Sequence, residues 1–236
     1  MNIKNYKVFS TGHPPELQGL WDGVIWQNVP ALEVAYFRPE SSAHHPQTRC
    51  KLLYDREKLY GIFLVDDQYV RCVNTGFQAD VYKDSCVELF LQPKSMGGYF
   101  NFEFNCGGAM LASYVTDPTR VDGRVKEYKP LAPADNHQIL RYHNLPEVVE
   151  PEITHKQIWF LEFVIPFAVM EKYSGSIGDI SDQTWRCNFY KCGNETSHQH
   201  WGAWSAVKEL NFHLPVCFGN IEFDGFWRDS DIFVDR

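Results

Sequence analysis

From Tyr99 to Asn105 the chain alternates without a break: Phe100, Phe102 and Phe104 on one side of an extended strand, Tyr99, Asn101, Glu103 and Asn105 on the other. With the apolar run at 84–93 and a Gly-containing turn at 94–98, this predicts a β-hairpin whose Phe row enters a core. The opposite row of amides and a carboxylate suits either a solvated sheet surface or a polar-ligand site, and alternation does not choose between them. Shorter segments of strand character follow at 32–37, 51–54, 59–65, 69–73, 110–115, 158–165, 185–191 and 216–223. Residues 1–30, with Pro14, Pro15, Gly19, Gly23 and Pro30, suit an irregular segment laid across the sheets and anchored by Trp21 and Trp26. Residues 117–151, rich in Pro, Asp, Asn and His, form an excursion with one extra hairpin. The helical stretch is 167–173, with Pro166 at its first position and Gly175 at its end. These elements predict an all-β chain, a two-sheet antiparallel β-sandwich of jelly-roll or immunoglobulin-like type with one short helix, residues 1–236 forming a single domain.

Composition narrows the partners. A formal net charge of −8 and the lack of any basic run argue against nucleic acid and against an anionic membrane surface. Seven Trp, 12 Tyr and 17 Phe are more than a ligand site needs, so most must fill the space between sheets. The N-terminal stretch has no continuous apolar segment, which predicts a cytoplasmic protein for the chain as given, or a periplasmic or extracellular one if a leader has been trimmed. Seven scattered cysteines without a C-x-x-C pair predict buried free thiols and a reducing compartment.

Phosphate-binding loops, dinucleotide glycines and a Gly-x-Ser-x-Gly elbow are absent from the sequence. His198 and His200 could ligate a metal, but without a placed carboxylate the pair reads better as polar lining. A Cys192–His198 nucleophile pair has no recognisable oxyanion hole. Glu88 and Glu103 would suit glycoside hydrolysis only if the strand register brought them together. Asp66, Asp67 and Asp84 offer oxygen ligands for calcium, and the Asn194 sequon reads as an exposed loop. The densest polar and aromatic constellation is 185–205, which holds Asn188, Lys191, His200, Trp201 and Trp204. Sugar rings stack their apolar faces on indole and present hydroxyls to amides and charges, so these residues match a saccharide chemically. Trp201 and Trp204 could equally plug one end of the sandwich.

The blocks Lys83-Asp-Ser-Cys-Val-Glu-Leu-Phe90, Tyr99-Phe-Asn-Phe-Glu-Phe-Asn105, Phe160-Leu-Glu-Phe-Val-Ile-Pro166, Cys187-Asn-Phe-Tyr-Lys-Cys-Gly193 and His200-Trp-Gly-Ala-Trp-Ser205 resemble the carbohydrate-binding family 9-like proteins, relatives of the modules attached to xylanases. The resemblance implies a β-sandwich that binds a saccharide without catalysis. Aromatic side chains would sandwich a terminal ring, a Glu, an Arg and an amide would bind its hydroxyls, and calcium would be a structural ion, with no other cofactor. Glu88 matches the motif Glu, and Tyr82 stands where the xylanase modules place a stacking Trp. The expected ligand-binding set is therefore Tyr82, Glu88, Asn188, Lys191, His200, Trp201 and Trp204. An enzyme acting on a glycan is the alternative, and a haem-binding DOMON-type domain, which shares the fold, a more distant one.

Overall fold

The computed structural model describes residues 3–93 and 97–225. The Phe row of the hairpin meets the expected environment: Phe100, Phe102 and Phe104 are fully buried between two sheets, with Val87, Leu89 and Leu91 of the neighbouring strand beside them. The tip of the hairpin, 94–96, lies outside the described residues.

In chain order the strands are β1 (Asn5–Ser10), β2 (Leu32–Val34), β3 (Tyr36–Phe37), β4 (Gln47–Tyr54), β5 (Lys58–Asp67), β6 (Val70–Cys72), β7 (Cys86–Gln92) and β8 (Tyr99–Asn105). They continue with β9 (Met110–Val121), β10 (Arg124–Pro130), β11 (Leu140–His143), β12 (Val149–Ile153), β13 (Gln157–Pro166), β14 (Thr184–Cys192), β15 (Trp201–Ala203) and β16 (Gly219–Phe223). One sheet runs β10-β9-β8-β7-β14-β16-β1 and the other β1-β4-β5-β13-β11, with β2 also on β4. The fold is thus the expected β-sandwich. Strand β1 belongs to both sheets: Asn5 to Val8 pair with β16, while Phe9 and Ser10 pair with β4. Both pairings are parallel and depart from the antiparallel pattern of the other paired strands.

Several elements differ from the sequence expectation. Residues 5–10 form a strand, with Tyr6, Val8 and Ser10 buried in alternation. Strand β6 pairs with β12 in a separate two-stranded ribbon and does not continue the main sheet. The 117–151 excursion holds the expected extra hairpin, β9 with β10 as an exposed arm, and two further strands: β11 extends the second sheet and β12 closes on β6. Two α-helices occur among the described residues, α1 (Pro133–Asn136) and α2 (Phe167–Ser174), the second being the expected one. Pro166 ends β13 in an extended conformation and caps α2, so it precedes the first helical position; Gly175 stops the helix with φ +76. Trp21 and Trp26 do anchor the irregular segment, packing with Leu53, Tyr60 and Ile62 on the outer side of the second sheet.

Candidate functional site

The outward face of β7, β8, β9 and β14 forms the floor of a concavity of about 790 Å³. Strand parity decides which side chains reach it, because residues two apart share a face. On β7 these are Glu88 and Phe90, and on β8 Asn101 and Glu103. The register then places Glu88 directly opposite Glu103, Phe90 opposite Asn101, and Asn101 opposite Ser113 of β9. Side chains of directly opposite residues on one face are near neighbours, so the two carboxyl groups share the floor. Glu88 is 2% and Glu103 5% exposed. Burial, then the proximity of Cys192 and Glu103, raises the Glu88 carboxyl well above its usual range. Burial raises Glu103 to about 7, against the opposing pull of Asn101 and Arg120. Asn101 Nδ2 donates to Glu103 Oε1 at 2.8 Å, and the Cys192 thiol donates to Glu88 Oε1 at 3.1 Å.

The walls are aromatic. Tyr82, on the short turn Val81–Lys83, and Trp201, at the start of β15, both line the concavity and are half-buried. Asn194 joins them: its backbone N–H donates to the Tyr82 carbonyl at 3.2 Å and its Oδ1 accepts from Trp201 Nε1 at 2.7 Å. The sequon asparagine is therefore a brace between two wall residues. Phe212 stacks on Tyr190 with centroids 4.0 Å apart. His213 pairs through Nδ1 with the Tyr99 hydroxyl at 2.6 Å, and burial lowers its pKa to about 3. Arg120 and Tyr128 of the exposed arm complete the rim.

Of the seven expected site residues, the structure brings Tyr82, Glu88 and Trp201 to this concavity and places the other four elsewhere. Asn188 lies on the outward face of β14 but is fully buried; its Oδ1 accepts from Ser205 N–H and its Nδ2 donates to Ser205 O, both at 2.8 Å. Lys191 has the opposite parity and projects between the sheets. There its ammonium lies 3.4 Å from Asp67 Oδ2 and donates to His200 Nε2 at 2.7 Å. Burial and the Lys191 charge lower His200 to about 3, so it stays neutral. Burial opposes ionisation of Asp67, but Lys191 and His44 outweigh it and hold that carboxyl below its usual range. Trp204 is a core residue, 3% exposed and edge-on to Phe189 at 5.6 Å. Gly219 allows this close approach, since a Cβ there would stand 2.6 Å from the Trp204 ring.

Two of the three carboxylates offered to calcium, Asp67 and Asp84, are committed to other partners. Asp84 is fully buried and accepts from Val73 N–H, Asn74 N–H, Asn74 Nδ2 and Asn105 Nδ2 at 2.9–3.0 Å, while Asp67 is engaged as described. A carboxylate ringed by N–H donors has no oxygen turned to calcium. His200 Nε2 is taken by Lys191, and the His198 ring stacks on Tyr69 at 3.5 Å. Among the described residues, Cys86, Glu88 and Cys192 have ligand-type atoms within 4.8 Å of one another. Two thiols do not suit calcium, and burial holds Cys86 protonated.

Sequence reasoning identified the polar face of β8 but assigned neither Asn101 nor Glu103 to the site, and it overlooked Arg120, Tyr128 and His213. Parity was the usable signal. It separates Asn188 from Lys191 on one strand and Trp201 from Trp204 across three positions, so neither pair can share a face.

Residues 22–223 match the family model described as carbohydrate-binding family 9. The chain belongs to this family. The family 9 chain is similar to a candidate carbohydrate-binding protein from Bacteroides uniformis ATCC 8492, with a TM-score of 0.82 and 23% identity over 94% of this chain and 100% of the other. It is also similar to a family 9 module from Caldicellulosiruptor kristjanssonii solved with cellotriose, with a TM-score of 0.63 and 16% identity over 97% of each chain. The glucose complex from that organism gives 0.61 and 16% over 96% and 99%. At such identities the likeness is one of fold. No curated protein sequence matches the chain.

Proposed function

We propose that the concave face of the first sheet binds a saccharide and that the protein is a non-catalytic carbohydrate-binding protein. The observation that carries this is the convergence of Tyr82 and Trp201 with the buried Glu88, Asn101 and Glu103 in one concavity of about 790 Å³, in a chain of a carbohydrate-binding family. Aromatic walls offer stacking surface to a pyranose ring, and the polar floor offers acceptors to its hydroxyls. The glucose and cellotriose complexes of the Caldicellulosiruptor module support a hexose-based ligand.

Glycan-array binding, with a hydrolysis screen on the same preparation, tests this reading. Binding without product formation is expected, and binding should weaken in Glu88→Gln. Products that disappear in Glu88→Gln would replace the binding protein with a glycosidase using the paired carboxyls. An array without any bound glycan would remove the saccharide reading altogether.

A further inference from the structure

The floor of the concavity holds one buried acceptor without a donor and two buried carboxyls side by side. Asn101 is 3% exposed; its Nδ2 is spent on Glu103, and its Oδ1 has no hydrogen-bond partner among the described residues. A buried carbonyl oxygen left without a donor is costly, so a ligand N–H or O–H is the natural complement. Beside it stand Glu88 and Glu103, cross-strand partners on the same face. No buried cation sits on this floor among the described residues. Lys191 is on the opposite side of β14, held by Asp67 and His200. Arg120 lies on the exposed arm, donating to Gly123 O at 2.8 Å and to Asn211 Oδ1 at 3.4 Å. Two adjacent buried carboxyls cannot both ionise without a counter-charge.

Resting on the saccharide reading, we propose that the site selects a sugar carrying a free, protonated amino group over its neutral counterpart, with the ammonium seated between Glu88 and Glu103. An ammonium has three donors, and three acceptors line this floor once the carboxyls ionise: one from each carboxylate and Asn101 Oδ1. The apolar face of the ring is left for Tyr82 and Trp201.

Proton linkage gives the proposal a signature. Glu88 is faced by Cys86 of its own strand, Glu103 of β8, and Tyr190 and Cys192 of β14; the Lys191 charge acts on it from beyond that strand. Glu103 is faced by Asn101, by Asp80 and Tyr82 of the segment before β7, and by Arg120 of the arm. An arriving ammonium favours the ionised carboxylates, so binding releases protons. Affinity for the amino sugar therefore rises with pH as the two raised carboxyls ionise, Glu103 at about 7. It falls again as an amine of α-amino type deprotonates near pH 8.

Titration calorimetry with D-glucosamine, D-glucose and N-acetyl-D-glucosamine, in buffers of different ionisation heat, tests this. Near neutral pH glucosamine should bind about tenfold or more tightly than glucose. Its enthalpy should depend on the buffer, the advantage should shrink toward pH 5, and N-acetylation should abolish it. Glu103→Gln should bring glucosamine down toward glucose and reduce the proton release, leaving only the share that comes from Glu88. Equal or weaker binding of glucosamine beside measurable glucose binding overturns the proposal and leaves the saccharide site standing. Binding of none of the three also overturns it, and an empty glycan array would then remove the saccharide reading as well.

Discussion

Two tryptophans three positions apart have opposite fates, and the difference is measurable. Trp201 is half-buried at the wall of the concavity, so Trp201→Ala should leave the fold intact. It should weaken saccharide binding by about twofold to tenfold, the range expected for roughly 0.5–1.5 kcal/mol of ring stacking. Trp204 fills the core against Phe189, so Trp204→Ala should cost about 3–5 kcal/mol of stability, seen as a lower denaturant midpoint. The residue types of the site were legible in the sequence: a Glu, an amide and aromatic walls. Their partition was not, because residue type carries no information on which face of a strand a side chain takes, and parity does. Parity would have sent Lys191 inward from its neighbours Tyr190 and Cys192. No local pattern could have shown that Asp67, more than a hundred positions away in sequence, waits there to neutralise it.

At the scale of elements, Asp84 fixes the start of β7. Its two oxygens gather four N–H donors from Val73, Asn74 and Asn105, tying the segment after β6 to the end of β8. In Asp84→Asn one oxygen becomes a donor facing donors. The expected loss is about 1–3 kcal/mol, read from chemical denaturation. The hairpin that this aspartate anchors was legible because period two is a local property of a strand. Its neighbours were less so. Strand β1 is hard to see in the sequence although Tyr6, Val8 and Ser10 alternate, since six residues beside a Pro- and Gly-rich segment give a weak signal. The pairing of Glu88 with Glu103 depends on register, which the hairpin sequence leaves open and the fold sets.

For the whole molecule, buried titratable groups pull stability in opposite directions with pH. His200 and His213 have folded values near 3, below the ordinary 6.5, so the unfolded chain binds more protons between these limits and stability falls as pH drops through that window. Glu103 sits near 7, above its ordinary 4.5, and Glu88 is raised as well, so the folded chain holds extra protons and stability falls as pH rises above about 4.5. The midpoint of thermal unfolding should therefore be highest on the mildly acidic side of neutrality. Glu103→Gln should flatten the alkaline limb; an unchanged limb would mean that Glu103 does not titrate in this way. The thiols offer a separate check. All seven cysteines are buried and none is in a disulfide, so all seven should react after denaturation without reductant and almost none before it.

Strand β1 makes two segments distant in the sequence interdependent. Its first half lies against β16, with Asn5 beside Asn220, and its second half lies against β4, with Ser10 beside Tyr54. On a ribosome, β1 emerges long before β16, one of its two partner strands. The second sheet can assemble around β4, β5 and β13 while synthesis continues, but the seam joining it to the first must wait for β16 to leave the exit tunnel. A nascent chain halted before β16 would hold the hydrophobic side of Tyr6 and Val8 half-dressed, a natural handhold for a chaperone.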